Sequence, residues 1–213
     1  MNKIANKKKI IGIIGGMGPL AGLKLHDYII KNTKTNGTDQ DHLNINHLSK
    51  SSIITDRTKF INNNEIINPS IGAMNVLKNI YSSNLYDEVI LGVSCNTFHS
   101  PKIWNPFIYD SFEKFGNKIK ILNMITETKN FIDKNYPEKK NITIFSTLGT
   151  FNSKIYIDLF RDDNYKLIHP NSINNINESI YNRKWGIKST GIPTSNKAQL
   201  IIKNEINNVI KDG

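Results

Sequence analysis

The run Val89-Ile90-Leu91-Gly92-Val93 constrains the fold more than any other stretch of the chain. It is apolar, rich in β-branched residues and too short for an independent helix, which predicts a strand buried on both faces of a parallel sheet. Cys95, the only cysteine, follows where that strand ends, with Asn96 and Thr97 directly after it. In open α/β sheets ligands bind outside the carboxyl ends of the strands, so this thiol stands where chemistry is usually done. Backbone N–H groups and an oncoming helix can stabilise a thiolate there, and the amide and hydroxyl beside it offer neutral donors to an anion. The same residues fit equally well a buried structural cysteine followed by an Asn-Thr pair that turns the chain.

A second apolar run, Ile10 to Ile14, predicts the first strand, Gly15-Gly16-Met17-Gly18 a tight turn, and Pro19 the first residue of a helix to about Thr33. Gly16 to Ala21 fits G-x-G-x-x-A, which sets a pyrophosphate on a helix N-terminus. The next strand, Leu43 to Leu48, ends in Ser49-Lys50-Ser51-Ser52 and lacks the acidic residue that pattern needs. The glycines are therefore expected to bring backbone close to a smaller anion such as a carboxylate. Asp56-Arg57-Thr58 has two readings. Either Asp56 positions the Arg57 guanidinium for a carboxylate, or a helix starts here with Thr55 or Asp56 as N-cap and Arg57 in solvent, which is the commoner use of such a sequence. After a loop at Asn62-Asn63-Asn64, Pro69 opens a helix with Ile71, Met74, Leu77 and Ile80 on one face.

Pro101 and Pro106 are expected to mark the exit from the first half. Beyond them come a strand at Ile119–Leu122, a helix from about Ile125 to Lys134, and a strand at Ile142–Phe145 ending in Ser146-Thr147-Leu148-Gly149-Thr150. A helix from about Ser153 to Phe160, a short strand at Lys166–Ile168, and helices near Ile173–Tyr181 and Ser195–Ile210 complete the chain. Two runs of alternating strand and helix, each closing on polar loops at strand ends, predict two α/β halves, 1–105 and 106–213, with a ligand cleft between them.

A formal charge of +10 invites a nucleic-acid partner, but the lysines are scattered and gather only at Lys7-Lys8-Lys9. The expectation is no nucleic-acid partner and a positive field that favours small anionic substrates. One cysteine excludes an intramolecular disulfide, and the five histidines stand apart without zinc spacing. No stretch approaches the roughly 18 apolar residues of a membrane span. The expected setting is cytoplasmic, with no membrane partner.

Four segments, Ile11 to Ala21, Asp56-Arg57-Thr58, Cys95-Asn96-Thr97-Phe98-His99 and Thr147-Leu148-Gly149-Thr150, resemble the signature segments of the aspartate/glutamate racemase family, especially its aspartate racemases. They come in the family's order and span nearly all of the chain. The resemblance implies two pseudo-symmetric parallel-sheet α/β halves, a homodimer, and racemisation of aspartate or a similar acidic amino acid without a cofactor, by one cysteine from each half. On that likeness Cys95 matches the catalytic cysteine of the first half. Asn96, Thr97, Thr147 and Thr150 match positions around the substrate's α-carboxylate, and Met17 lies in the turn lining the pocket. Arg57 matches a basic residue that meets the side-chain carboxylate. Lys188 falls near a second such basic position, which a plain surface lysine fits as well.

Inverting an α-carbon requires groups on both of its faces, and the feebly acidic proton requires donors that support the carbanion. The family's second cysteine belongs on a strand soon after the last helix. This chain ends at Gly213, so its second half is expected to be C-terminally shortened. Three readings stand: a truncated or frame-shifted gene product, which the pattern favours; a second base replaced by His99 or Lys188; or a catalytically impaired member that binds small anionic ligands.

Overall fold

The computed structural model describes residues 8–62, 66–82, 86–161 and 165–212. Lys7 of the basic run, and Asn63 and Asn64 of the expected loop, lie outside them. The chain divides into two compact units, Met1–Met124 and Ile125–Gly213.

The first unit runs β1 (Lys9–Gly15), α1 (Pro19–Asn32), β2 (Ile45–Ser49), α2 (Arg57–Asn62), α3 (Pro69–Tyr81), β3 (Glu88–Val93), α4 (Pro101–Phe115) and β4 (Ile119–Leu122). The strands form one parallel sheet in the order β2-β1-β3-β4. Ile10 and Ile14 of β1 and Val89, Leu91 and Val93 of β3 enter the core, as the apolar runs predict, while Ile90 and Gly92 are only partly covered. Helices α1 and α3 pack on β1 and β2, and α4 on β4 and α3. On α3, Met74, Leu77 and Ile80 are buried, but Ile71 is 53 % exposed; Ala73 and Val76 complete the buried face instead.

The structure departs from expectation at the two prolines and at the division of the chain. Pro101 and Pro106 do not mark an exit; both lie in α4. Pro101 takes the first helical position, where no donor is missed. Pro106 is interior and cannot donate to the Lys102 carbonyl one turn back. Asn68 takes its place, its Nδ2 donating to the Lys102 carbonyl at 3.1 Å while its Oδ1 accepts the Ser70 N–H at 3.0 Å and caps α3. Because α4 thus continues, β4 returns to pair with β3 in the first sheet, which a division at 105/106 would have cut.

The second unit follows with α5 (Met124–Asn135, opening on the last residue of the first unit), β5 (Asn141–Thr143), α6 (Leu148–Asn152), α7 (Ile155–Phe160), β6 (Lys166–Ile168), α8 (Ile173–Tyr181), α9 (Ile187–Thr190) and α10 (Asn196–Asp212). Strands β5 and β6 pair in parallel. The helix expected from about Ser153 to Phe160 is α7, which begins at Ile155; the short α6 precedes it, and Lys154, whose φ of 56° lies in the left-handed region, separates the two. Helix α10 packs on α8, and the buried Glu205 accepts the Ser172 N–H at 3.2 Å. Among the described residues no helix is long and apolar enough to cross a membrane.

Candidate active site

In the order β2-β1-β3-β4 the winding reverses between β1 and β3, which places the topological switch point of the sheet there. Ile14 pairs with Val93, so the turn after β1 and the Ser94-Cys95 segment after β3 leave the sheet side by side. Cys95 is half-buried and extended, at φ −150° and ψ 111°. Its N–H donates to the Val93 carbonyl at 3.0 Å, and its own carbonyl accepts the Phe98 N–H at 3.2 Å as the chain enters a tight turn at Asn96–His99. Asn96 is exposed on that turn and Thr97 is buried.

His99 is 4 % exposed and stacks on Trp104, with ring centroids 4.3 Å apart. Its Nδ1 lies 2.8 Å from the Cys95 carbonyl, and its Nε2 accepts the Met124 N–H at 3.3 Å. A carbonyl can only accept and an amide N–H can only donate, so the ring must carry its proton on Nδ1 and be neutral. Burial agrees, driving its pKa from 6.5 down to about 4, with the Cys95 carbonyl opposing in part. The alternative that His99 replaces a second base is therefore corrected: both of its nitrogens are already engaged.

A consequence for stability follows from that neutral ring. The unfolded chain binds a proton near pH 6.5 and the folded chain only near pH 4, so stability is full above the first value, falls as pH drops between them, and levels off below. The loss attributable to His99 is about 3 kcal/mol. Urea unfolding at a series of pH values should show this decline in the wild type and lack it in His99→Phe; parallel curves would contradict it.

Arg57 is neither in solvent nor oriented by Asp56. Asp56 caps α2, its Oδ1 accepting the Lys59 N–H at 3.0 Å, so the helix-start reading holds for the aspartate. The arginine turns back, Nη2 donating to the Met17 carbonyl and Nη1 to the Thr55 carbonyl, both at 3.1 Å. Its Nε is buried with no hydrogen-bond partner among the described residues. Helix α2 packs against the Asn96–His99 turn, and the guanidinium reaches the loop that follows β1. Met17 contributes its carbonyl there, while its side chain, 4 % exposed, belongs to the core.

The glycine turn has a packing role of its own. Gly16 has φ of +95°, and a Cβ on it would stand 2.8 Å from the Ser51 nitrogen, so this residue lets β1 close against the loop after β2. Gly15 and Gly22 instead accommodate the His47 ring, whose Nε2 would lie 2.6 Å from a Cβ on either. That nitrogen is buried without a partner among the described residues, and burial, then the neighbouring His26, lowers the pKa of His47. Of the turn, Gly18 alone faces open space.

The remaining expected residues lie in the second unit. Thr147 caps α6, its hydroxyl accepting the Thr150 N–H at 3.3 Å, and the Leu148 N–H is taken by Asn177 Oδ1 at 3.0 Å. The backbone N–H groups of Leu148 and Thr150 are thus engaged within the fold. Thr150 is buried beside a cavity of about 20 Å³ that Ser146, Tyr156 and His169 also line, which is room for one water. Lys188 holds its ammonium 4.0 Å above the Tyr181 ring. Among the described residues no group of three or more His, Cys, Asp or Glu is placed to hold a metal ion.

Fold and site together define a class: an α/β protein with a parallel sheet whose one thiol stands at the switch point. Solved structures share the fold. The chain is similar to the Picrophilus torridus aspartate racemase, at 28 % identity and a TM-score of 0.72 over 95 % of this chain and 77 % of that one. It has the fold of an aspartate racemase homologue from Pyrococcus horikoshii OT3, at 14 % identity and a TM-score of 0.55 over 94 % of this chain and 99 % of that one. The sequence matches no protein-family model and no curated protein.

Proposed function

We propose that this chain is a cofactor-independent amino-acid racemase acting on aspartate or a similar acidic amino acid, with Cys95 removing the α-proton. The observation that carries the reading is the position of Cys95 at the carboxyl end of β3, across the switch point from the turn after β1. The likeness to the Picrophilus torridus aspartate racemase supports the reaction type. Arg57 suits the substrate's side-chain carboxylate: the two backbone carbonyls take only part of its five donors, and they fix the guanidinium so that little ordering is left for substrate to impose. Asn96 and Thr97 follow the thiol directly and supply neutral donors to the α-carboxylate, on which charge builds as the proton leaves. Following L-aspartate by chiral chromatography tests the proposal: D-aspartate should accumulate toward equal amounts of the two forms, and its failure to appear would overturn it.

A second reading, a catalytically impaired relative that binds small anionic ligands, is favoured by one specific feature. Inversion needs a group on each face of the α-carbon, yet both nitrogens of His99, the histidine nearest Cys95 in sequence, are engaged. Such a protein would be stabilised against heat by aspartate without forming the D-enantiomer.

A further inference from the structure

His99 contributes to neither reading as a base, yet its side chain is tightly specified close to the thiol. Its ring is buried and stacked on Trp104, in the first turn of α4, where the N–H groups of Ile103 and Trp104 both donate to the Ser100 carbonyl at 2.8 Å. Phe98 meets the same ring edge-on, with centroids 6.5 Å apart. A ring held on two sides has one orientation, and in it Nδ1 reaches the Cys95 carbonyl while Nε2 reaches the Met124 N–H. The peptide group is planar and trans, so holding the Cys95 carbonyl also sets the plane of the Cys95-Asn96 peptide and the direction of the Asn96 N–H.

We propose that His99 is a positioning residue for Cys95: its neutral ring ties the Cys95 carbonyl to the Met124 N–H and fixes the backbone from which the thiol projects. For its catalytic consequence this inference rests on the reading of Cys95 as the proton-abstracting group; for the geometry of the thiol it does not. A thiol on a backbone free to rotate would spend less of its time aligned with the α-carbon, and small misplacements are costly in rate. The functional signature is therefore a loss in kcat with KM little changed, because Arg57 still holds the substrate.

The test uses the full chain with His99→Asn, His99→Gln and His99→Phe. Asparagine keeps a donor near the Nδ1 position, glutamine keeps an acceptor near the Nε2 position, and phenylalanine keeps the stack on Trp104 while removing both bonds. Two quantities are measured for each: the rate of Cys95 alkylation by iodoacetamide as a function of pH, and kcat and KM for loss of the α-hydrogen of L-aspartate. His99→Phe should lower kcat on the order of tenfold or more and change the alkylation rate and its pH midpoint, whereas His99→Asn should stay within a few-fold of wild type. Alkylation of a folded His99→Phe at the wild-type rate and midpoint would overturn the inference, as would equal losses in the Asn and Phe variants. If His99→Phe does not fold, Asn against Gln decides: the Asn variant should retain the more wild-type-like thiol, and indistinguishable thiols overturn the inference. A wild type that reacts with iodoacetamide but leaves aspartate untouched counts against the proposed function alone, and the alkylation series still decides the role of His99.

Discussion

Cys95→Ser should lower the rate of D-aspartate formation on the order of a thousandfold or more while leaving the thermal midpoint nearly unchanged. A serine hydroxyl has nearly the shape of a thiol but does not ionise near neutral pH, so the variant keeps the packing and loses the base. Cys95 is half-buried and its backbone is set by the Val93 carbonyl, the Phe98 N–H and His99, none of which involves the sulfur. Loss of activity without loss of fold would therefore be specific to the chemistry of the side chain. A serine variant that keeps its activity within tenfold would remove Cys95 from the reaction.

Gly72→Ala is expected to have the largest effect on stability. In an ordinary helix that change is favourable by roughly 1 kcal/mol. At this position on α3, a Cβ would stand 2.0 Å from the Ile53 carbonyl oxygen and 3.0 Å from the Ile54 Cα, both backbone atoms that cannot rotate away. Either α3, with Ala73, Val76, Leu77 and Ile80 buried, must lift from the core, or the segment leading into Thr55-Asp56-Arg57 must shift. We expect a loss of more than about 3 kcal/mol, read as a melting point lowered by roughly 10 °C or more. Aspartate should also stabilise the variant less, since Arg57 lies just after the displaced residues. An unchanged or raised melting point would show that α3 does not approach this loop as closely as described.

The site was legible in the sequence where it depends on strand ends. Val89 to Val93 reads as a buried strand, which β3 is on the face of Val89, Leu91 and Val93, and that places Cys95 at the carboxyl end of a parallel sheet. The glycine turn was located correctly, but its part in packing was not readable. Its glycines make room for the Lys50-Ser51 backbone and for the His47 ring, partners that come from β2 and the loop after it and leave no local signal. Arg57 shows the same limit in another form: Asp56 as N-cap is a local matter and was readable, whereas the turn of the guanidinium back to the Met17 carbonyl spans forty positions of sequence. Pro106 misled because the cost of an interior proline is local while its remedy, the Asn68 side chain, comes from another helix. The role of His99 was missed for want of α4: with Pro101 recognised as a first helical position, Trp104 falls in the first turn of that helix and a stacking partner for His99 becomes visible.

The central claim is that the thiol at the end of β3 takes hydrogen from the α-carbon of an acidic amino acid. L-Aspartate incubated with the protein in deuterium oxide and followed by proton NMR tests this without requiring that inversion be completed. The account predicts that the α-proton signal fades with the wild-type protein and persists with Cys95→Ser. A signal that stays undiminished with the folded wild-type protein, or fades equally with both, would contradict it.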